Sequence, residues 1–291
     1  MLATNGRLKI ALQRKGRLTE DSVSLLRSCG LEFEFQPQGL YSPCRNFPLD
    51  VLSLRDDDIP EYVQDGVADL GIVGENIVRE KQARVQVLNS LGFGLCRLVL
   101  SVPQRSALRS LRNLAGKRIA TTYPATLKHF LRSSSLKATI VELSGAVEIA
   151  PSLDVADAIC DIASTGTTAR MNGLRPLTTV LESQAVLIAN RKSLKDKTRK
   201  NIIERLLIRL SGSLEARGKR YIMLNAPVSS LPKLQKILPA LKSPTVVPLA
   251  RQGMVAVHSV IAEQVFWDVM ERLKKAGASD IIVIPIETII K

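Results

Sequence analysis

Two long apolar runs bracket the middle of this chain, Gly94-Leu-Cys-Arg-Leu-Val-Leu-Ser-Val-Pro103 and Val180-Leu-Glu-Ser-Gln-Ala-Val-Leu-Ile-Ala-Asn190. Both read as strands, because Val, Leu and Ile recur with few interruptions. Between them the sequence builds a compact unit of its own. Lys117-Arg-Ile-Ala-Thr121 predicts a strand, Thr122 to Leu131 a helix and Ile140-Val-Glu-Leu143 a further strand. The two runs therefore predict a hinge crossed twice, with the middle segment inserted into a first domain. A cleft between two α/β lobes is a natural place for a small ligand.

The flanks agree with α/β architecture. Leu8 to Leu12 predicts a buried strand, and Thr19-Glu-Asp with Ser22 supplies the cap and acidic first turn of a helix that stops at Gly30. Asp50-Val-Leu-Ser-Leu54 and Leu70 to Val73 predict strands, with a helix from Ile59 to Asp65 between them. Asp56-Asp-Asp58 reads as that helix's start rather than as a metal site.

From about Arg217 the rhythm changes to strand, helix, strand, strand, helix, strand: Tyr221 to Leu224, Leu231 to Leu241, Thr245 to Leu249, Met254 to Ile261, Ala262 to Ala276 and Ile281 to Ile286. This βαββαβ order is that of a ferredoxin-like unit. In the last helix Phe266, Val269, Met270 and Leu273 form the apolar stripe, with Trp267 read as packing. His258 falls in an alternating strand as a core or edge residue.

Chemistry concentrates between Asp157 and Thr168. A strand-like Ala158-Ile-Cys-Asp-Ile-Ala163 runs into Ser164-Thr-Gly-Thr-Thr168 and then a helix-compatible stretch ending at Asn172-Gly173. Hydroxyls around a glycine at a strand-to-helix turn offer free N–H groups and a positive helix end to a phosphate. No Lys follows the glycine, so the loop is not that of a triphosphate hydrolase. Asp161 stands immediately before the loop and Asp157 four residues earlier. A carboxylate there suits the vicinal hydroxyls of a ribose that carries the phosphate. The alternative is a helix start capped by Ser and Thr. Lys15 and Arg17, on the turn after the first strand, would meet a triphosphate or pyrophosphate, or else form a solvated basic turn.

Composition narrows the partners. Lys and Arg number 41 against 27 Asp and Glu, a net charge of +14 that asks for anions or marks a solvated basic surface. Aromatics are 4% of residues and the charge is dispersed, which speaks against nucleic acid. No apolar run reaches the ~20 residues of a bilayer span, and the N-terminus lacks a secretion pattern, so a cytoplasmic protein is expected. The four cysteines are far apart and form no Cys-x-x-Cys pair, and with two histidines they predict free thiols rather than zinc.

The loop Asp161-Ile-Ala-Ser-Thr-Gly-Thr-Thr168 resembles the phosphoribosyl pyrophosphate motif of phosphoribosyltransferases. Its companions are Gln13-Arg-Lys-Gly-Arg17, Arg55-Asp-Asp-Asp-Ile-Pro60, Asp69-Leu-Gly-Ile-Val-Gly-Glu-Asn-Ile77, Lys242-Ser-Pro-Thr245 and Pro285-Ile-Glu287. Together, in order and across essentially the whole chain, they resemble the long form of the ATP phosphoribosyltransferases, which open histidine biosynthesis. The resemblance implies two periplasmic-binding-protein-like catalytic lobes, at 1–96 with 184–217 and at 97–183, and a ferredoxin-like regulatory domain at 218–291. It implies transfer of the phosphoribosyl group to N1 of ATP, with Mg²⁺, pyrophosphate release and feedback inhibition by histidine.

For the site the resemblance implies Asp157, Asp161, Ser164, Thr165, Gly166, Thr167 and Thr168 on phosphoribosyl pyrophosphate. Lys15, Gly16, Arg17 and Glu148 would lie on ATP or pyrophosphate, Glu148 standing in Gly145-Ala-Val-Glu-Ile-Ala-Pro151. Asn225, Leu241, Ser243 and Thr245 would line the histidine pocket. Some relatives carry an acid where Asn225 stands, so the neutral amide gives up an ion pair with the ligand's amino group. A dimer as active unit and a hexamer when inhibited are also implied. The competing reading is a two-lobed ligand-binding or effector module without catalysis, which has no use for Asp161 beside a hydroxyl-rich loop.

Overall fold

The structure is a computed structural model that describes residues 6–36, 39–163, 172–238 and 244–290. The chain forms two compact units, Met1–Arg205 and Leu206–Lys291.

The first unit contains two sheets. In the first lie β1 (Leu8–Gln13), β2 (Tyr41–Pro43), β3 (Leu49–Leu54), β4 (Leu70–Gly74), β5 (Gln86–Ser90) and β11 (Ala185–Ala189), in the order β2-β3-β1-β4-β11-β5. The central β3, β1 and β4 are parallel. Their connections are α1 (Thr19–Ser28) and α2 (Ile59–Gln64), with α3 (Glu75–Glu80) following β4. Helix α2 lies so close to β4 that a Cβ on Gly71 would stand 2.7 Å from Ile59 Cγ2 and 3.0 Å from Val63 Cγ2. Ile59, Val63, Val73, Val186 and Ile188 form the core there.

The second sheet holds β6 (Cys96–Pro103), β7 (Arg118–Thr121), β8 (Thr139–Glu142), β9 (Ala158–Ala163) and β10 (Leu174–Ser183), in the order β10-β6-β9-β7-β8. Strands β9, β7 and β8 are parallel, and α4 (Pro124–Ser133) joins the last two. Leu98, Leu100, Ile119, Leu127 and Leu131 fill its core.

The run from Val180 to Asn190 is not one strand. It breaks at Gln184, β10 pairing with β6 in the second sheet and β11 with β4 and β5 in the first. A continuous apolar pattern carries no mark of which sheet buries each half. The two crossings between the sheets are bonded to each other: Ala185 N–H donates to Phe93 O at 2.9 Å, and Gly92 N–H to Gln184 Oε1 at 3.1 Å. Gly94 has φ +63°, and a Cβ on it would strike the Leu18 side chain.

Helix α1 begins at Thr19, but not through a hydroxyl cap. Leu18 is the capping residue and offers no side-chain bond, while the Thr19 hydroxyl donates back to Gln13 O at 3.1 Å. Strand β1 thus claims the hydroxyl that the sequence assigned to the helix.

The second unit contains β12 (Lys219–Pro227), α6 (Leu231–Ile237), β13 (Thr245–Pro248), β14 (Met254–Ala262), α7 (Phe266–Lys275) and β15 (Ser279–Pro285), after α5 (Lys197–Ala216), which runs from the first unit into this one. The sheet is antiparallel in the order β13-β14-β12-β15, the ferredoxin-like arrangement. Val269 and Leu273 of α7 are buried with Ile222, Leu224 and Val257 and with Met270 packed against them; the Phe266 side chain lies outside the description. Trp267 does not pack into that core but is 76% exposed. Among the described residues no helix is long and apolar enough to cross a membrane.

Candidate active site

Ligands of open parallel sheets bind beyond the carboxyl ends of the strands, where helix N-termini and loops converge. In the first sheet those ends carry Lys15, Gly16 and Arg17 after β1, Arg55 to Asp58 after β3, and Gly74 to Asn76 after β4. In the second they carry Tyr123 after β7 and Glu148 after β8, and residues 164–171 follow β9 in sequence. Ser164, Thr165, Gly166, Thr167 and Thr168 lie outside the described residues.

Asp161, near the end of β9, is half-buried and accepts the Ile162 N–H at 2.8 Å. Burial holds its carboxyl above the usual carboxylate range, and the nearby Glu148 carboxylate adds to this against the Ile162 bond. Glu148 lies on the short helical turn Val147–Ile149, which the chain enters through Ala146 at φ +50°. A ligand with hydroxyls, or a cation, beside Asp161 would favour its ionised form.

The structure does not bring Asp157 to Asp161 and Glu148. It precedes β9, at the opposite end of the strand from the loop, about 13 Å away at ~3.3 Å per residue. There its carboxylate accepts the Arg118 N–H at 2.8 Å and lies 3.5 Å from that guanidinium, and the two hold it below the usual carboxylate range. Asp157 fastens β9 to β7.

Lys15, Gly16 and Arg17 are exposed on the turn after β1. Gly16 has φ +141°, and a Cβ there would collide with the Gln13 side chain, whose Oε1 receives the Leu18 N–H at 3.0 Å. Glycine thus lets the turn fold tightly over Gln13. A cavity of about 570 Å³ is lined by Arg14, Lys15, Gly16, Thr19 and Arg27, among others. Its three cations outweigh Glu20, which also lines it, and suit the phosphates of a nucleotide.

Tyr123, at the meeting of the two sheets, was not singled out from the sequence. Arg17 Nη2 stands 3.4 Å from the Cys96 sulfur. Tyr123 lies within electrostatic reach of Asp161, Cys96 and Asp57, its hydroxyl 3.3 Å from Asn76 Nδ2. Burial pushes that hydroxyl up to about 12, against the Asn76 bond. Tyr123 had one sequence signal: it precedes Pro124, at the helix start just past a strand.

In the second unit Asn225 and Thr245 share one face of the sheet on β12 and β13, with β14 between them. Asn225 Nδ2 donates to Asp280 Oδ2 at 3.2 Å. Leu241 and Ser243 lie outside the described residues.

Comparison with known proteins fits this arrangement. The family model described as "HisG: ATP phosphoribosyltransferase" matches residues 55–212, and "HisG, C-terminal domain" matches residues 216–288. An ATP phosphoribosyltransferase of Cytophaga hutchinsonii is 46% identical over 98% of this chain and 99% of its own. One from Maricaulis maris is 44% identical over 97% and 98%. Among solved structures, the ATP phosphoribosyl transferase (HisG:HisZ) complex from Thermotoga maritima contains a chain 29% identical with a TM-score of 0.58, covering 70% of this chain and 98% of that one. With both family models matched in order, this chain belongs to the ATP phosphoribosyltransferase family.

Proposed function

We propose that this chain transfers the phosphoribosyl group of 5-phosphoribosyl 1-pyrophosphate to N1 of ATP, the first step of histidine biosynthesis. The observation that carries the reading is the placement of Asp161 on β9 and Glu148 after β8, parallel-oriented strands of one sheet, in the unit whose other sheet presents Lys15, Gly16 and Arg17 after its parallel strand β1. Asp161 accepts hydrogen bonds from the ribose hydroxyls, and Ser164, Thr165, Gly166, Thr167 and Thr168 cradle the 5-phosphate. Glu148 faces the ribose or the nucleotide. Lys15, Gly16 and Arg17 hold pyrophosphate or triphosphate oxygens.

In the reaction the N1–C1 bond forms as the C1–O bond to pyrophosphate breaks, and the adenine amino group then sheds a proton. Pyrophosphate is a good leaving group and C1 gains oxocarbenium character, so alignment and charge stabilisation suffice without a covalent intermediate. Among the described residues no three His, Cys, Asp or Glu side chains converge into a metal cage. That donor set fits Mg²⁺ held chiefly by substrate phosphates with one or two carboxylates, Asp161 and Glu148 being those at hand. Bound there, the cation would neutralise the departing pyrophosphate.

We assign catalysis to lobes at 1–96 with 184–217 and at 97–183, and regulation by histidine to 218–291, as one homo-oligomer subunit acting in the cytoplasm. Asn225 and Thr245, with Leu241 and Ser243, form the histidine site. Asp280, hydrogen-bonded to Asn225, supplies the carboxylate that Asn225 lacks.

The deciding assay is pyrophosphate release that requires ATP, phosphoribosyl pyrophosphate and Mg²⁺ together. Tight binding of both substrates without turnover would instead indicate a non-catalytic two-lobed binding module.

A further inference from the structure

Glu80 is the last residue of α3, where a carboxylate faces the negative end of its own helix. It does not serve α3. The carboxylate reaches to α4, taking the Ala125 N–H at 2.8 Å, the Thr126 N–H at 2.9 Å and the Thr126 hydroxyl at 2.7 Å. Helix α4 has no side-chain cap from Tyr123, the residue before it. A ten-residue helix packed on the second sheet is therefore capped from a helix packed on the first.

Both ends of this link are anchored. At the start of α3 the Asn76 N–H donates to Ser183 Oγ at 2.9 Å, Ser183 Oγ donates to Asn76 Oδ1 at 3.0 Å, and the Glu75 N–H donates to Gln184 O at 2.9 Å. These partners lie where the chain returns between the sheets. Beyond α4, the Tyr123 N–H donates to Thr121 Oγ1 at 2.9 Å, and that hydroxyl donates at 2.6 Å to the carbonyl of Cys160, the residue before Asp161. These hydrogen bonds, joined by the backbone of α3 and of Tyr123 to Ala125, thus link the hinge through Glu80 to the strand that carries Asp161.

We propose that Glu80 is a positioning residue, a strut that fixes the spacing of the two lobes so that the turn after β1 and Asp161 hold their substrates in register. The proposal rests on the phosphoribosyl transfer assigned above. Each lobe binds its own substrate groups, whereas bond formation needs the reacting atoms ~3–3.5 Å apart, and ~1 Å of misplacement costs about a hundredfold. Loss of the strut should therefore fall on turnover rather than on the binding of either substrate.

The test uses the full chain with Glu80→Ala and Glu80→Gln, the amide keeping one acceptor oxygen. Turnover is measured with both substrates saturating, and phosphoribosyl pyrophosphate binding by calorimetry. A second readout is independent of activity. Spin labels at Glu61→Cys and Arg112→Cys, exposed sites on the two lobes, report the distance between them, with excess unlabelled chain suppressing intermolecular pairs. The four native cysteines are buried and leave the labels selective.

Glu80→Ala should lower kcat at least tenfold, with Kd within threefold and full binding stoichiometry, and should broaden the distance distribution. Glu80→Gln should fall between it and the parent on both readouts. An unchanged distance distribution, or kcat within twofold of the parent, would overturn the proposal. So would stoichiometry that falls in step with activity in both variants, which would make Glu80 a folding residue only. If the parent chain makes no phosphoribosyl product, the assigned reaction fails, and the distance distributions alone still decide for or against the strut.

Discussion

Asp161 joins a proposed role on the ribose to a cost for the fold. Its carboxyl is held above the usual range by burial and by Glu148, so its charge disfavours the folded state. The sign follows from linkage. A group whose folded pKa exceeds its unfolded value adds stability below the unfolded value, about 3.9, and loses it as pH rises through the folded one. Asp161→Asn should therefore melt higher than the parent at pH 7, and the gap should close as pH falls through the carboxylate range, which scanning calorimetry across pH would show. The same variant should lose about 1.5–3 kcal/mol of transition-state stabilisation, roughly ten- to a hundredfold in kcat/KM for phosphoribosyl pyrophosphate. A variant both less stable and fully active would remove Asp161 from the site. At this scale the sequence was a partial guide. Asp161 was singled out because an acid abuts a hydroxyl-rich loop, and Asp157, four residues earlier, was assigned with it. Proximity along a strand is not proximity in space, and the three residues between the two acids leave Asp157 before the start of β9 and Asp161 in its second half. Tyr123 comes near Asp161 through the pairing of β7 with β9, a contact without a local sequence signature.

Elements were easier to read than their partners. Strand–helix alternation, the inserted middle segment and the final βαββαβ order all follow from periodicity and turn residues. What periodicity lacks is the identity of the neighbouring strand, and so the run from Val180 to Asn190 looked continuous although Gln184 separates two sheets. The basic stretch leading into α5 gives a further case, since a run of like charge carries no mark of the buried partner it will meet. In the structure Asp69, 4% exposed, accepts the Lys9 N–H at 2.8 Å, the Ser193 hydroxyl at 2.6 Å and Arg199 Nη1 at 2.7 Å. A buried carboxylate thus fastens the start of α5 to β1. Arg199 is half-exposed, so its ion pair contributes modestly. The buried bonds dominate, and Asp69→Asn should cost about 2–3 kcal/mol in urea unfolding. A loss below about 0.5 kcal/mol would show that α5 is held by its apolar face alone.

For the molecule as a whole, the pairing of a catalytic unit with a ferredoxin-like one raises the question of communication. Inhibition at a distance requires a ligand that binds two states with different affinity, and the coupling is reciprocal. Histidine carries an ammonium group, a carboxylate and an imidazole, and a site for it needs a negative partner for the first. Asn225 is neutral, but Asp280 stands 3.2 Å from its amide, held also by the Ser279 hydroxyl at 3.0 Å. Its backbone is left-handed at φ +48°, a conformation that Asp tolerates better than most residues. Two substitutions separate the parts of this site. Asp280→Asn removes the charge and keeps the shape, whereas Thr245→Leu removes a hydroxyl and adds bulk on the same face. Histidine at millimolar levels should inhibit the full chain. Read against each variant's own uninhibited rate, the inhibition midpoint should rise about tenfold or more for Asp280→Asn, the ~1.4 kcal/mol of a lost charge-assisted contact. Thr245→Leu should raise it as well. If the parent is not inhibited, the sensing role of the second unit fails. If Thr245→Leu shifts the midpoint and Asp280→Asn does not, the pocket stands but its ammonium partner lies elsewhere, and equal inhibition of all three forms would place histidine outside this face of the sheet altogether.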